Sequence, residues 1–345
     1  MKDIKVLGID LAKDVFQIHG TDARGSCVLT KRLSRGKLAE YISNMTPCLI
    51  GIEACGGAHY WARVFESHGH TVKIMSPQFV KPYVKSNKND ARDAEAIAEA
   101  VTRPTMRFVP KKTLAQQDVL LLHRARELVM KQRTAQGNQI RGLLSEYGIV
   151  VAKGLSHLDK LPEILEKNEN KISLVSKEIF LQLHEQLKLY ASQVSYYDKK
   201  INDNAATDPR CVAVQDIEGI GPITASAIVA TIGDANVFKN GREVSAWLGL
   251  TPKQYSSGNN VILGSITKRG DRYVRKLLVH GARSVVNTCE NKDDRKNQWV
   301  ADKKQRCGYN KATVALANKN ARIIWAMLVT GECYRKAPSD PAQVA

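Results

Sequence analysis

Two short apolar runs near the start of the chain end alike, Leu7-Gly8-Ile9-Asp10 and Ile50-Gly51-Ile52-Glu53. Side chains alternate between the faces of a strand, so the residue two before each acid shares its face, and both times it is glycine. Space is left beside each carboxylate. If the two strands are neighbours in one sheet, Asp10 and Glu53 converge over it. The segment KSNKNDARDAEAIAEA (85–100) then sets Asp90 and Asp93 three residues apart at the start of an alanine-rich helix, on one helical face. A helix docked across the sheet would bring four carboxylates to one place.

Such crowding is unfavourable unaided, because like charges repel and a shared carboxylate site drives at least one pKa upward. A divalent cation removes the conflict. Hard oxygen ligands suit Mg²⁺ or Mn²⁺, and paired ions about 3.5 to 4 Å apart serve phosphoryl transfer. The simpler alternative gives Asp90 to the helix cap and Asp93 to the helix dipole, with Asp10 and Glu53 merely closing their strands. The Asp pair alone fits that alternative; the repeated Gly-Ile-acid ending and the strand-strand-helix order favour a metal site.

Around these acids the first hundred residues alternate apolar runs with helical stretches: three strands, then helix, strand, helix, strand, helix. This is the element order of a ribonuclease H-like (RuvC-like) α/β fold. From about 114 to 203 strand signals fade, and Leu183, Leu187, Tyr190, Val194, Tyr197 and Ile201 step by four and three as in a coiled-coil seam. That spacing fits a helical hairpin packed on its own chain or a dimerisation arm. Beyond ATDPR (206–210) the chain reads as helical, glycine-punctuated and basic, up to a last helix near 311–330 with Gly331 as its cap. The expected organisation is residues 1–108 as the α/β domain, 109–205 as the coiled-coil region, 206–335 as a mostly helical C-terminal domain and 336–345 as a disordered tail.

Charge points to the partner. Fifty-two Lys plus Arg stand against thirty-four Asp plus Glu, a net +18, which suits a polyanion such as nucleic acid. Between 253 and 322 sixteen basic residues face five acids. No apolar run reaches the length of a membrane span and MKDIKVLGID has no apolar signal core, so the expected place is the bacterial cytoplasm. Seven scattered cysteines without a CxxC pair argue against a disulfide framework or a zinc site. In DIEGIGPITASAI (216–228), Gly219 and Gly221 frame a turn of helix-hairpin-helix type whose amides can hold a phosphate, or simply a tight turn in a core. Arg272, Arg275, Lys276 and Arg283 fall on one helical stripe, with Lys268 and Arg269 just before it, as candidate phosphate contacts. Ser256 and Ser257 lie in a glycine- and asparagine-rich loop ahead of that stripe, and either hydroxyl could serve as a nucleophile if activated.

Taken together, GIDLAKDVFQ, GIEACGGAHYWA, KNDARDAEAIAEA, IEGIGPITA, WLGLTPKQYSSG and ITKRGDRYVRKLLVHGA resemble the DEDD transposases of the insertion sequence 110/1111 group, over nearly the whole chain. The resemblance implies that Asp10, Glu53, Asp90 and Asp93 form the acidic tetrad of a RuvC-like domain, and that Ser257, directly before Gly258, is the nucleophile. It implies a composite site, with the tetrad of one subunit and the serine of a partner, and a covalent serine-DNA intermediate. It further implies a structured bridge RNA from the element's noncoding end that pairs with donor and target DNA, and dimers that assemble into a tetramer. Two other readings stand beside it: a RuvC-like junction endonuclease using metal-activated water, and a non-catalytic nucleic-acid-binding protein.

Overall fold

The strand ending at Asp10 and the strand ending at Glu53 are neighbours. In the computed structural model, which describes residues 3–85, 89–258 and 260–335, β1 (Val6–Asp10) pairs in parallel with β4 (Leu49–Glu53), Gly8 opposite Gly51 and Ile9 opposite Ile52. The expected tail, 336–345, and the lysine-bearing approach at 86–88 lie outside the described residues. Two compact units divide the chain, residues 1–113 and 114–345.

In the first unit β2 (Val15–Thr21) and β3 (Cys27–Ser34) extend the sheet antiparallel on one side of β1. Beyond β4, β5 (Thr71–Met75) joins in parallel and β6 (Phe108–Val109) antiparallel, giving the order β3-β2-β1-β4-β5-β6. Between them run α1 (Arg35–Ser43), α2 (Ala58–Ser67), the single turn α3 (Pro77–Val80) and α4 (Asp90–Val101). The central strands are buried through their middles, as expected of strands covered on both faces. Leu7, Ile9, Ile50 and Ile52 are fully buried in one core with Leu38 and Ile42 of α1 and Phe65 of α2; each contributes about 1.5–3 kcal/mol by leaving water. On the opposite face Ile97, Ala100 and Val101 of α4 make a second core with Met75. The glycines and the acids lie on this α4 face.

The second unit opens with two long helices, α5 (Leu114–Glu146) and α7 (Leu174–Thr207), bridged by short α6 (Leu161–Glu166). Leu187, Val194 and Ile201 of the expected seam are buried, while Leu183, Tyr190 and Tyr197 are half-buried. The seam therefore packs α7 within its own chain, with α5 as neighbour. A second apolar series stays outside: Leu121, Leu128, Leu189 and Tyr196 are each more than half exposed.

A mostly helical bundle follows: α8 (Pro209–Val214), α9 (Pro222–Ile232), α10 (Gly241–Trp247), α11 (Arg272–Thr288), α12 (Arg295–Cys307) and α13 (Tyr309–Thr330). Gly331 caps α13 in the left-handed conformation, as its position after the last periodic residue predicts. One departure is plain. The stretch around Ser256 and Ser257, read from sequence as a loop, belongs to an antiparallel hairpin of β7 (Pro252–Ser257) and β8 (Asn260–Ile266). Tyr255, Val261 and Ile262 favour strands, but both strands are exposed along nearly their whole length, so the inside-outside alternation that betrays a strand is missing.

A buried polar knot ties the long helices to the bundle. The His123 ring lies 3.1 Å from the Tyr273 hydroxyl and 3.1 Å from the Ser226 hydroxyl, one ring nitrogen donating and the other accepting; Ser226 in turn donates to Asn204 at 3.3 Å. Burial first, then the nearby Arg126 cation, push the His123 pKa down to about 4, so the folded protein holds the ring neutral. The unfolded chain takes a proton near pH 6.5, hence the stability from this neutral ring is present above pH 6.5 and is lost as pH falls toward 4. Between pH 7.5 and 5 urea unfolding should show a loss of about 2 kcal/mol in the wild type that is missing in His123→Gln. Equal slopes in the two proteins would refute the assignment.

Candidate active site

Helix α4 reaches the acidic strands because the glycines let it. A Cβ on Gly8 would lie 2.2 Å from the carbonyl oxygen of Ala94 and 2.5 Å from the amide nitrogen of Ala98, so the α4 backbone rests directly on β1. On Gly51 the added atom would meet the Val101 side chain at 2.9 Å. The space beside the acids, legible in sequence, is filled by the helix that brings the other two acids.

The N-cap of α4 is Asn89, whose side-chain oxygen accepts a bond from the Arg92 amide at 2.9 Å. Asp90 is the first helical residue and is not spent on capping, contrary to the simpler sequence alternative. One carboxylate oxygen each from Asp10, Asp90 and Asp93 lies within 4.8 Å of the others. Three like charges at that spacing repel, and oxygen donors so placed are the chemistry that Mg²⁺ or Mn²⁺ accepts. Glu53 is not a member of this cluster. It stands at the end of the adjoining strand, at the register position beside Asp10. Partial burial, then the Glu53 and Asp10 carboxylates, push the Cys55 thiol up, which keeps it protonated near neutral pH.

In the second unit, the hairpin sets Ser256 and Ser257 on successive positions of β7, and therefore on opposite faces. The Ser256 hydroxyl accepts from the Gln254 amide at 2.9 Å. Ser257 is exposed at the strand end, before Gly258 with φ 56, and among the described residues its hydroxyl has no hydrogen-bond partner.

The candidate phosphate contacts divide. Lys268, Arg269 and Arg272 are exposed. Lys268 is the sole non-glycine residue with positive φ among those described, at 55, a conformation that disfavours a side chain. It is held in a turn clasped against the end of α10: a Cβ on Gly270 would sit 1.9 Å from the Trp247 carbonyl oxygen, and one on Gly249 2.3 Å from that of Arg269. Arg275 corrects the sequence reading. It is buried, and its Nη1 donates to the carbonyls of Leu248 at 3.0 Å and Arg269 at 2.7 Å. It fastens the Lys268-Arg269 turn and does not face a phosphate. The signal was available: Arg275 precedes Leu278 by three and Ala282 by seven, the spacing of the apolar stripe. Lys276 pairs with Glu127 at 2.7 Å. Gly219 has a packing task, since a Cβ there would lie 2.6 Å from the Gly281 carbonyl oxygen on α11, whereas Gly221 caps α9 with open space around it.

Comparison with known proteins bears on the whole chain. Residues 7–149 match a family model described as "Transposase", of the DEDD type, and residues 211–298 match one described as "Transposase IS116/IS110/IS902 family". Among curated relatives, a probable family 20 transposase of Pseudomonas aeruginosa is 44% identical over 95% of this chain and 98% of its own. The transposase for insertion sequence element IS1111A of Coxiella burnetii is 45% identical over 97% of this chain and 92% of its own. That for IS1328 of Yersinia enterocolitica is 38% identical, covering 97% of this chain and all of the relative. With both models matched and relatives aligned almost end to end, this chain belongs to the IS116/IS110/IS902 family of transposases, proteins of DNA transposition.

Proposed function

We propose that the protein excises and inserts an insertion sequence by divalent-metal-dependent strand exchange through a covalent Ser257-DNA intermediate, guided by a structured RNA that pairs with donor and target DNA. The observation that carries the metal-dependent part is the convergence of Asp10, Asp90 and Asp93 on one point of a RuvC-like sheet, beside Glu53. These residues fit Mg²⁺ or Mn²⁺ and would hold it. Bound there, the ion supplies Lewis-acid stabilisation of charge on phosphate oxygens.

The remaining steps belong to the chain. The exposed Ser257 Oγ forms a bond to a DNA phosphorus and loses its proton, while the bond from phosphorus to a sugar oxygen breaks and that oxygen leaves as a hydroxyl, taking up a proton. One phosphodiester is exchanged for another, so the energy for rejoining is retained. Lys268, Arg269 and Arg272, held near the hairpin base by the clasped turn, orient the strand through its phosphates. The tetrad acts with the serine of a partner subunit. The apolar series left exposed on α5 and α7 supports assembly into dimers, and two dimers form the tetramer on DNA.

The experiment mixes purified protein, Mg²⁺, the element's noncoding-end RNA and end-labelled junction DNA, then denatures the sample. A labelled protein-DNA band is expected for the wild type and for Ser256→Ala and none for Ser257→Ala. DNA cleavage by Ser257→Ala without any such band would instead identify a junction nuclease using water.

A further inference from the structure

The bundle carries a groove that the chemistry above does not use. It is an open trough of about 1660 Å³ between α10, α12, α13 and the base of the β7–β8 hairpin. The face of α13 that lines it runs Lys311, Val314, Ala315, Asn318, Lys319, Arg322, steps of three and four that keep one side of the helix in the trough for about three turns. Arg242 of α10 and Lys303 of α12 add to it. Five cations thus line the trough and no carboxylate does. Among the described residues none of the five is ion-paired, in contrast to Lys276, Lys292 and Lys304, which are each bound to a glutamate.

The walls between those charges are apolar and aromatic. Trp299 lies under the Lys319 ammonium, 4.3 Å from ring centroid to nitrogen, and Trp325 is anchored through its indole N–H to the Ala235 carbonyl at 3.1 Å. Leu263 of the hairpin, 60% exposed, forms part of the rim. Burial, then the neighbouring Arg295 and Arg322 cations, lower the Lys319 pKa, so an anion in the trough would relieve its surroundings. A duplex offers such a trough only its phosphates, because its bases are stacked away. Cations set between apolar and indole surfaces suit a strand whose bases are unpaired and can rest on those surfaces while the backbone meets Lys and Arg.

We propose that this groove binds an unpaired DNA strand, leading it along α13 to the base of the serine-bearing hairpin. The inference rests on the strand-exchange reading above, because strand exchange is what produces unpaired DNA in this protein's reach. It adds a binding site separate from the acidic cluster and from the Lys268-Arg269 turn.

The test is equilibrium binding by the full-length chain of three labelled probes, a 20-nucleotide oligo(dT), an oligo(U) of equal length and a 20-base-pair duplex, over a range of salt. The variant Lys311→Glu/Arg322→Glu changes two exposed side chains, and its circular dichroism and melting should match the wild type. Expected are an affinity for oligo(dT) about tenfold weaker or more, a salt slope smaller by about 1 to 1.5, and duplex binding changed less than twofold. Oligo(dT) should also quench tryptophan fluorescence in the wild type, and clearly less in Trp299→Phe, whose fold should be intact. Unchanged oligo(dT) binding overturns the groove, equal loss on duplex overturns its restriction to unpaired DNA, and preference for oligo(U) overturns DNA as occupant. A variant that sediments as a smaller species than the wild type makes the trough a contact between copies and overturns it too. Wild-type protein that binds none of the probes sinks the strand-exchange reading itself, whereas variant-specific outcomes bear on the groove alone.

Discussion

Asp10→Ala should abolish strand exchange, by about a thousandfold or more, and should make melting nearly independent of Mg²⁺. The two effects have one reason. Without a cation, Asp10, Asp90 and Asp93 repel at close range, and removing one of them relieves that repulsion by a few tenths of a kcal/mol or more. With the cation, the same carboxylate is a ligand, and losing several kcal/mol of transition-state stabilisation costs roughly three powers of ten in rate. The measurement pairs an excision assay, amplifying the joined ends of the circular product, with thermal melting in EDTA and in Mg²⁺. Wild-type protein should melt higher in Mg²⁺ by mass action, and Asp10→Ala should lose most of that increment. Circles from purified Asp10→Ala at the wild-type rate, or an undiminished Mg²⁺ increment, would remove the acidic cluster from the reaction.

The second large effect is expected from the smallest change. Gly8→Ala adds one carbon where the Ala94 carbonyl and the Ala98 amide lie 2.2 and 2.5 Å away. Both obstacles are helix backbone, so no rotamer change makes room and α4 must lift off the sheet. Overpacking of this kind costs about 1–3 kcal/mol, and Asp90 and Asp93 move with the helix they start. Strand exchange should therefore fall by at least about a hundredfold, since an ångström of misplacement at a reacting centre costs that much. Gly51→Ala meets side chains alone, Val101 at 2.9 Å and Ile97 at 3.2 Å, and should be milder, and Gly36→Ala, with nothing within 4 Å of its added carbon, should lose nothing beyond the intrinsic effect. An order other than Gly8, then Gly51, then Gly36 would show that helix docking does not set the site.

Much of this was readable from residue order. The period-2 argument that put each glycine on its acid's face needed only the strand assignments, and those followed from dense apolar runs ending in charge. The α13 cap was readable because glycine after a periodic helix has one common cause. The hairpin was not, since a strand exposed on both faces has no hydrophobic pattern to report; the turn Ser257-Gly258 between Tyr255 and Val261-Ile262 was the remaining clue. Arg275 was misplaced for a different reason. Charge outweighed spacing in reading the stripe, although its distance from Leu278 and Ala282 put it inward, where carbonyls rather than water satisfy its guanidinium. Glu53 reached its strand end as expected, but the sequence had no means of separating it from the three aspartates that cluster.

The dependence of the acidic cluster on α4 also has a temporal side. A chain growing from its N-terminus completes β1 and β4 dozens of residues before Asp90 and Asp93 exist, and β5 still earlier than the helix that covers it. A nascent or prematurely ended chain can thus assemble sheet without assembling the acidic cluster. Truncation anywhere before Asp90 therefore separates two properties that the complete chain joins, the pairing of the strands and the crowding of the carboxylates.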